Sequence, residues 1–129
     1  MRNLVTGIGG IFLKAKDPQS LYAWYEEHLG MRQDAGAQAV PFAWKDAQTG
    51  EDAHTYLSLF KEDTKYFEPS TASVMINYRV SDMDALISEL TSHGIKILGR
   101  QDEEYGRFAW IMDPEGNKVE LWEPPKSKV

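Results

Sequence analysis

The sequence predicts an α+β domain in which two copies of one strand–helix–strand–strand–strand unit form a curved mixed sheet around a cleft. Landmarks of the first half return in the same order about 65 residues later. Asp17 and Asp82 each open an amphipathic helical pattern, and Gly30 and Gly94 close the two patterns. Two related half-sheets can curl around a shared cleft, and such a cleft is a natural site for a small ligand.

The composition fits one domain spanning all 129 residues and excludes several function classes. The net charge is −6 and no cluster of Lys and Arg occurs, so we expect no nucleic-acid partner. The absence of cysteine excludes disulfides, thiolate metal sites and a cysteine nucleophile. No apolar run approaches the roughly 20 residues that span a bilayer, and glycines interrupt the N-terminal segment. We therefore expect a cytoplasmic protein without membrane contact.

In the first half, alternating apolar residues over 11–16 predict a strand. Asp17 is a helix N-cap and Pro18 follows at the first helical position, where its missing N–H does no harm. Gly30 supplies the left-handed residue that ends the helix. The remaining strands of this half are expected in residues 31–45, which hold two, and in residues 55–60.

The second half repeats this plan. Residues 73–80 alternate as a strand, Asp82 caps a helix, and Gly94 ends it. Three strands follow in residues 95–98, 108–112 and 118–122, and the sequence Asp113-Pro114-Glu115-Gly116-Asn117 forms a tight turn between the last two. The polar stretch around Pro69 separates the halves. The predicted boundaries are module 1 at about 7–62, a linker at about 63–71 and module 2 at about 72–124.

Two stretches resemble a known family. Residues 12–17 (FLKAKD), then Trp24-Tyr25 and Leu29-Gly30, are similar to the opening of the glyoxalase/bleomycin-resistance/extradiol dioxygenase superfamily, also called the vicinal oxygen chelate (VOC) superfamily. Residues 108–123 (FAWIMDPEGNKVELWE) resemble its closing signature. The resemblance, to a glyoxalase-like subgroup, implies two βαβββ modules whose sheets curve around a cleft. It also implies a homodimer, because the modules that form one cleft often come from two chains.

Family members often bind a divalent metal, and the resemblance implies ligand positions at Gly10, Ser58, Met75 and Glu120. Only Glu120 has a strong ligand for such a metal. Glycine has no side chain, a thioether is too soft, and a serine hydroxyl is weak. A catalytic metal usually needs about three protein ligands. We therefore expect no cofactor, and a Zn, Ni, Mn or Fe ion is the disfavoured alternative.

Strand alternation predicts which side chains share the cleft face with these positions. Glu120 is the candidate catalytic residue, as a general base, against the alternative of a charge neutralised by Arg79 or Lys118. Arg107 is a candidate clamp for a carboxylate, against the alternative of a solvated loop residue. The other candidate ligand-binding residues are Phe12, Lys14, Tyr56, Ser58, Phe60, Met75, Asn77, Arg79 and Trp122. An aromatic cleft with these cations favours an apolar, anionic or carbonyl-bearing ligand, although each residue alone also fits the core or the solvated surface.

Three functions are compatible with this pattern. The first is a metal-independent protein that binds a small organic molecule in the cleft. The second is an enzyme, a lactoylglutathione-lyase-like or other lyase, an isomerase or a dioxygenase, in which a metal polarises the substrate and Glu120 is a ligand or moves a proton. The third is a partner-binding module with an occluded cleft. The weak ligand set disfavours the second function and an inward Glu120 disfavours the third, while the sequence leaves open whether any reaction is catalysed.

Overall fold

A computed structural model describes residues 4–126, which form two helices and seven strands. The first half contains β1 (Val5–Ala15), α1 (Pro18–Leu29), β2 (Val40–Lys45) and β3 (Asp52–Lys61). The second half contains β4 (Val74–Val80), α2 (Met83–Ser92), β5 (Gly99–Glu103), β6 (Gly106–Met112) and β7 (Lys118–Glu123).

The seven strands form one open mixed sheet in the order β2-β3-β1-β4-β7-β6-β5. Each half has one parallel pair, β1 with β3 and β4 with β7, and the antiparallel pair of β1 and β4 joins the halves. Gly10 of β1 lies opposite both Tyr56 of β3 and Asn77 of β4, and Asn77 lies opposite Glu120 of β7. The predicted α+β fold with two related halves around a mixed sheet is confirmed.

Both helices begin and end where local chemistry predicts. The Asp17 carboxylate accepts a hydrogen bond from the Ser20 backbone N–H at 3.1 Å, and Gly30 ends α1 with φ of 69°. The Asp82 carboxylate accepts from the Ala85 N–H at 3.1 Å, and Gly94 follows α2 with φ of 77°. These side chains satisfy N–H groups that have no partner within the helix.

The helices cover one face of the sheet and leave the other face for the cleft. Met83 of α2 packs on the sheet in a core cluster with Val80, Ala109 and Leu121. Tyr22 of α1 packs in a second cluster with Val40 and Leu57. Because side chains alternate along a strand, the neighbours of these core residues point to the opposite face.

An ion pair links the end of β2 to the middle of the curved sheet. Asp46 directly follows β2, and Arg79 lies on β4, with β3 and β1 between the two strands. Three strand spacings separate the two backbones by about 14 Å in a flat sheet, and the two side chains bridge this separation, with Arg79 Nη1 2.6 Å from Asp46 Oδ2. The pair therefore holds the β2 end against the face of the sheet. Trp44 fills the bend, with its ring against Gly7 and near the Arg79 guanidinium, 5.8 Å from the ring centroid.

Two strand predictions are wrong. Residues 31–45 hold one strand, β2, in place of the two predicted. Residues 31–39 contain turns, because the Asp34 carboxylate accepts the Gly36 N–H and the Gln38 N–H bonds the Asp34 carbonyl, so the backbone closes on itself. Residues 95–98 are not a strand either, since the Ile95 N–H bonds the Leu90 carbonyl and completes the end of α2. The first half therefore contributes three strands. The second half has the four predicted strands, but the one expected at 95–98 lies at β5, Gly99–Glu103.

Over residues 4–126, neither helix is long and apolar enough to cross a membrane.

Candidate functional site

A cleft of about 480 Å³ opens on the face of the sheet that the helices leave free. Its floor comes from the central strands β1, β3, β4 and β7, and β6 and the turn before β2 supply the sides. The lining residues are Gly9, Phe12, Gly36, Ala37, Ala39, Tyr56, Ser58, Asn77, Tyr105, Phe108, Glu120 and Trp122. The lining is therefore mainly aromatic or small, with few polar groups.

Six of the side chains singled out from the sequence meet in this cleft: Phe12, Tyr56, Ser58, Asn77, Glu120 and Trp122. Phe60 lies beside them, with its ring centroid 5.4 Å from that of Phe12. Met75 is opposite Phe12 in the β1–β4 register. It is only 1% exposed, so it is buried and does not line the cleft.

The candidate cations do not line the cleft. Arg79 pairs with Asp46, and Lys14 Nζ lies over the ring of buried Phe67, 5.2 Å from its centroid. Arg107 does clamp a carboxylate with two bonds, of 2.8 and 3.1 Å, but the carboxylate is that of Asp84 on α2, on the helix-covered face. The cations predicted to attract an anionic ligand therefore have partners within the protein.

Glu120 is the only charged side chain among the lining residues that the structure describes, and it is 2% exposed. Its Oε1 accepts hydrogen bonds from the Tyr66 hydroxyl and from Trp110 Nε1, the latter at 2.9 Å. Its Oε2 accepts from Asn77 Nδ2 at 2.5 Å. Three uncharged donors therefore hold the carboxylate. The sequence alternative, in which Arg79 or Lys118 neutralises Glu120 by direct contact, is not what the structure shows. Buried carboxylates need such partners because desolvation is unfavourable.

Tyr66 reaches Glu120 from the segment between β3 and β4. Its ring stacks on Phe60 at a centroid distance of 5.6 Å and meets Trp110 edge-on at 6.3 Å. Burial, followed by the neighbouring Glu120 charge, raises the pKa of the Tyr66 hydroxyl well above its usual value of 10.0. Lys118 lies behind this ring, donates to the Tyr66 carbonyl at 2.7 Å, and has its own pKa lowered by burial.

In the side-chain amide of Asn77, Nδ2 has a hydrogen-bond partner and Oδ1 has none among the residues that the structure describes. Since Nδ2 faces Glu120, Oδ1 faces Gly9, and a side chain at Gly9 would collide with it. Asn77 is 4% exposed, and its Oδ1 is the one buried side-chain nitrogen or oxygen without a hydrogen-bond partner among residues 4–126. Buried polar atoms without a partner are rare and often mark a place where a water or ligand binds.

The comparisons with known proteins identify the family. The chain matches the model of the Glyoxalase/Bleomycin resistance protein/Dioxygenase superfamily over residues 7–121. The chain belongs to this superfamily. A search of curated proteins found no match.

Similar solved structures have the same superfamily fold. The methylmalonyl-CoA epimerase of Mycobacterium tuberculosis is 21% identical, with a TM-score of 0.61 over 98% of this chain and 93% of that chain. A variant of the Streptomyces coelicolor methylmalonyl-CoA epimerase in complex with 2-nitronate-propionyl-CoA is 19% identical, with a TM-score of 0.67 over 95% and 99%. The hypothetical protein BH1468 of Bacillus halodurans C-125 is 12% identical, with a TM-score of 0.62 over 95% and 96%. Identities this low establish the fold alone.

The four positions at which the superfamily resemblance implies metal ligands do not form a metal site. A side chain at Gly10 would place its Cβ 2.7 Å from Phe12 Cε1, so the Phe12 ring fills the space of a ligand there. Met75 is buried, and the Glu120 oxygens already accept three protein hydrogen bonds. Within the described part of the chain, no group of three or more His, Cys, Asp and Glu side chains could hold a metal ion. The residues therefore do not fit the metal of the superfamily.

The sequence prediction missed four aromatic residues around the cleft: Tyr66, Tyr105, Phe108 and Trp110. Phe108 and Trp110 lie opposite Trp122 and Glu120 in the β6–β7 register, so strand pairing across the last turn would have found them. The signal for Tyr66 was weaker. It is one of two adjacent aromatic residues, with Phe67, in an otherwise polar linker.

Proposed function

We propose that this superfamily member binds a small organic molecule in the cleft and does so without the usual metal. The observation that supports the proposal best is the aromatic cleft of about 480 Å³ around the buried Glu120. Sites for small molecules are typically concave, roughly 300–1,000 Å³ in volume, mainly apolar, and equipped with a few polar groups.

The arrangement of the rings favours a ligand with a flat apolar part. Phe108 lies nearly parallel to Trp122, with an interplanar angle of 13° and a centroid distance of 6.4 Å. Phe12 and Tyr56 line the same cleft from β1 and β3. Aromatic side chains contribute large contact areas and prefer offset or edge-on partners. The complex of the Streptomyces coelicolor methylmalonyl-CoA epimerase variant with 2-nitronate-propionyl-CoA supports the use of this fold for small molecules.

The environment of Glu120 favours binding over proton transfer. A general base must come within hydrogen-bond reach of the substrate proton, directly or through one water. Glu120 is only 2% exposed, and its oxygens already accept three protein hydrogen bonds out of about four that a carboxylate can accept. We therefore assign Glu120 an electrostatic role in binding. The metal-dependent lyase, isomerase or dioxygenase would need ligands other than those at the four superfamily positions.

A screen of the full chain tests this proposal. We expect flat apolar compounds to raise the melting temperature, since a ligand that binds only the folded state stabilises it. We expect Zn²⁺, Ni²⁺, Mn²⁺ and Fe²⁺ to give no stoichiometric binding and no such rise. Ser58→Phe places a bulky ring in the cleft and should abolish the ligand-induced rise, as measured by differential scanning fluorimetry.

Ser88→Phe is the matched control, because Ser88 lies exposed on α2 on the far side of the sheet. It should leave the ligand-induced rise unchanged. Equal ligand response of the Ser58→Phe variant and the wild type would refute the cleft as the binding site. A tightly bound stoichiometric metal would refute the metal-free part of the proposal.

A further inference from the structure

We infer that the polar part of the ligand is a positively charged hydrogen-bond donor, so that the cleft selects an organic amine. This inference rests on the proposed small-molecule function and names the chemical class of the ligand. The sequence alone suggested an apolar, anionic or carbonyl-bearing ligand, and the positions of the charges around the cleft argue against the anionic one.

The first argument is the sign of the charge. Glu120 contributes a carboxylate to the cleft, and the lining found within residues 4–126 includes no Lys, Arg or His. Of the cations considered from the sequence, Arg79 is neutralised by Asp46 at 2.6 Å. Lys118 keeps its charge and attracts Glu120, but it lies behind the Tyr66 ring, donates to the Tyr66 carbonyl at 2.7 Å, and is not among the lining residues. The charge that the lining itself presents to a ligand is therefore negative, and among apolar walls with little screening it attracts a cation and repels an anion.

The second argument is the unpaired acceptor. An ionised carboxylate has no proton to give, so Glu120 fixes the orientation of the Asn77 amide by accepting from Nδ2. This orientation leaves Oδ1 buried beside Gly9 without a hydrogen bond. A ligand N–H would satisfy Oδ1, whereas a ligand carboxylate would place a second acceptor against it.

The third argument is the aromatic wall. Phe12, Tyr56, Phe108 and Trp122 line the cleft around the same two polar groups. The face of an aromatic ring is the negative end of its quadrupole and attracts ammonium groups within about 6 Å. The rings, the carboxylate and the free amide oxygen therefore favour the same kind of ligand.

Three compounds of similar shape test the inference: 2-phenylethylamine, 2-phenylethanol and 3-phenylpropionate, titrated into the wild-type protein at pH 7 by calorimetry. They share a phenyl ring and differ in charge. We expect the amine to bind at least about tenfold more tightly than the carboxylate, with the alcohol between them. This comparison needs no variant.

Glu120→Gln then tests the mechanism. The amide of this variant would retain one oxygen for Tyr66 and Trp110 and would present an N–H₂ group to Asn77, which must turn its Oδ1 toward that donor. The free atom facing the ligand becomes Nδ2 of Asn77, and the charge is gone. We expect the preference to reverse, with amine affinity falling at least about tenfold and carboxylate affinity rising. Glu115→Gln, in the exposed turn before β7, is the matched control and should keep the wild-type preference.

The outcomes separate the two proposals. Tighter amine binding in the wild type, lost in Glu120→Gln, supports the inference. If the three compounds bind equally, or the carboxylate binds best, and Ser58→Phe still abolishes binding, the inference is wrong and the proposed function stands. If none binds at millimolar concentration, the inference is wrong, and the wider screen described above decides the proposed function separately.

Discussion

At the scale of single residues, Glu120 organises the cleft through three donors from three parts of the chain. Tyr66 belongs to the segment between the halves, Asn77 to β4 and Trp110 to β6. Removing one donor leaves a buried acceptor with fewer hydrogen bonds. The resulting loss of stability is larger than the average net contribution of a hydrogen bond, because the acceptor has no water to replace the lost partner. Each of these partners therefore contributes to stability as well as to the shape of the site.

Tyr66→Phe removes one donor and keeps the ring. We expect it to lower the free energy of unfolding at pH 7 by about 1–2 kcal/mol, as measured by urea denaturation. The pH dependence has a definite sign. The folded state raises the pKa of the Tyr66 hydroxyl above 10.0, so its stabilising contribution is complete below pH 10 and is lost as the pH rises further.

The stability difference between wild type and Tyr66→Phe should therefore shrink above pH 10. Tyr105→Phe is the control, because the Tyr105 ring is 64% exposed and its hydroxyl has no comparable buried environment. A constant difference between wild type and Tyr66→Phe across this range would contradict the assigned hydrogen bond.

At the scale of elements, the contact between Asp46 and Arg79 links the end of β2 to β4 across two intervening strands. Asp46 also accepts hydrogen bonds from the backbone N–H groups of Gln48 and Thr49, at 2.8 and 3.1 Å. The bond from Gln48 is the largest of the influences that lower the pKa of Asp46, and Arg79 adds to it. One buried carboxylate therefore holds the turn after β2 and links it to β4.

Asp46→Asn tests this link. We expect a loss of about 2–4 kcal/mol in the free energy of unfolding at pH 7, because Arg79 is left partly buried without its partner. The folded-state pKa of Asp46 lies below 3.8, so its contribution is present above pH 3.8 and is lost as the pH falls further. The difference between variant and wild type should shrink accordingly in acid urea titrations.

Asp52→Asn is the matched control, since Asp52 pairs with Lys45 near the same turn while both side chains are more than two-thirds exposed. Exposed pairs contribute little because water and salt screen them. If the two variants had the same free energy of unfolding, the buried pair would contribute no more to stability than the exposed one.

The elements that the sequence predicts well are those determined by local chemistry. The helix boundaries depend on Asp17, Asp82 and the glycines after each helix, and all of these act within a few residues. The prediction of two strands in residues 31–45 was wrong, because an Asx turn at Asp34 competes with strand pairing and leaves one strand there. Apolar content alone does not reveal that competition.

For the site, strand alternation placed Phe12, Tyr56, Asn77 and Glu120 on one face, and they do line the cleft together. The partners of the charged groups were not predictable in this way. Arg79 lies on the expected face but is drawn to Asp46 by the curvature of the whole sheet, and Tyr66 arrives from a segment without periodicity. Contacts of this kind depend on tertiary geometry that no local pattern encodes.

At the scale of the whole molecule, the sheet is open and ends in β2 on one side and β5 on the other. The homodimer expected from the family resemblance stays a prediction. Light scattering at micromolar concentration should give twice the 14.7 kDa mass of one chain. A mass of one chain would contradict the dimer, and the ligand titrations would then describe a complete cleft within a single chain.

The origin of Tyr66 in the connecting segment has an evolutionary consequence. The strands pair through their backbones, and the Tyr66 side chain takes no part in these pairs. Mutations in this connection can therefore replace the group that contacts Glu120 while both halves keep their hydrogen-bond ladders. Loops tolerate change better than the elements they join. Proteins with this fold could thus acquire a new ligand preference through mutations in the segment between β3 and β4, before any strand residue changes.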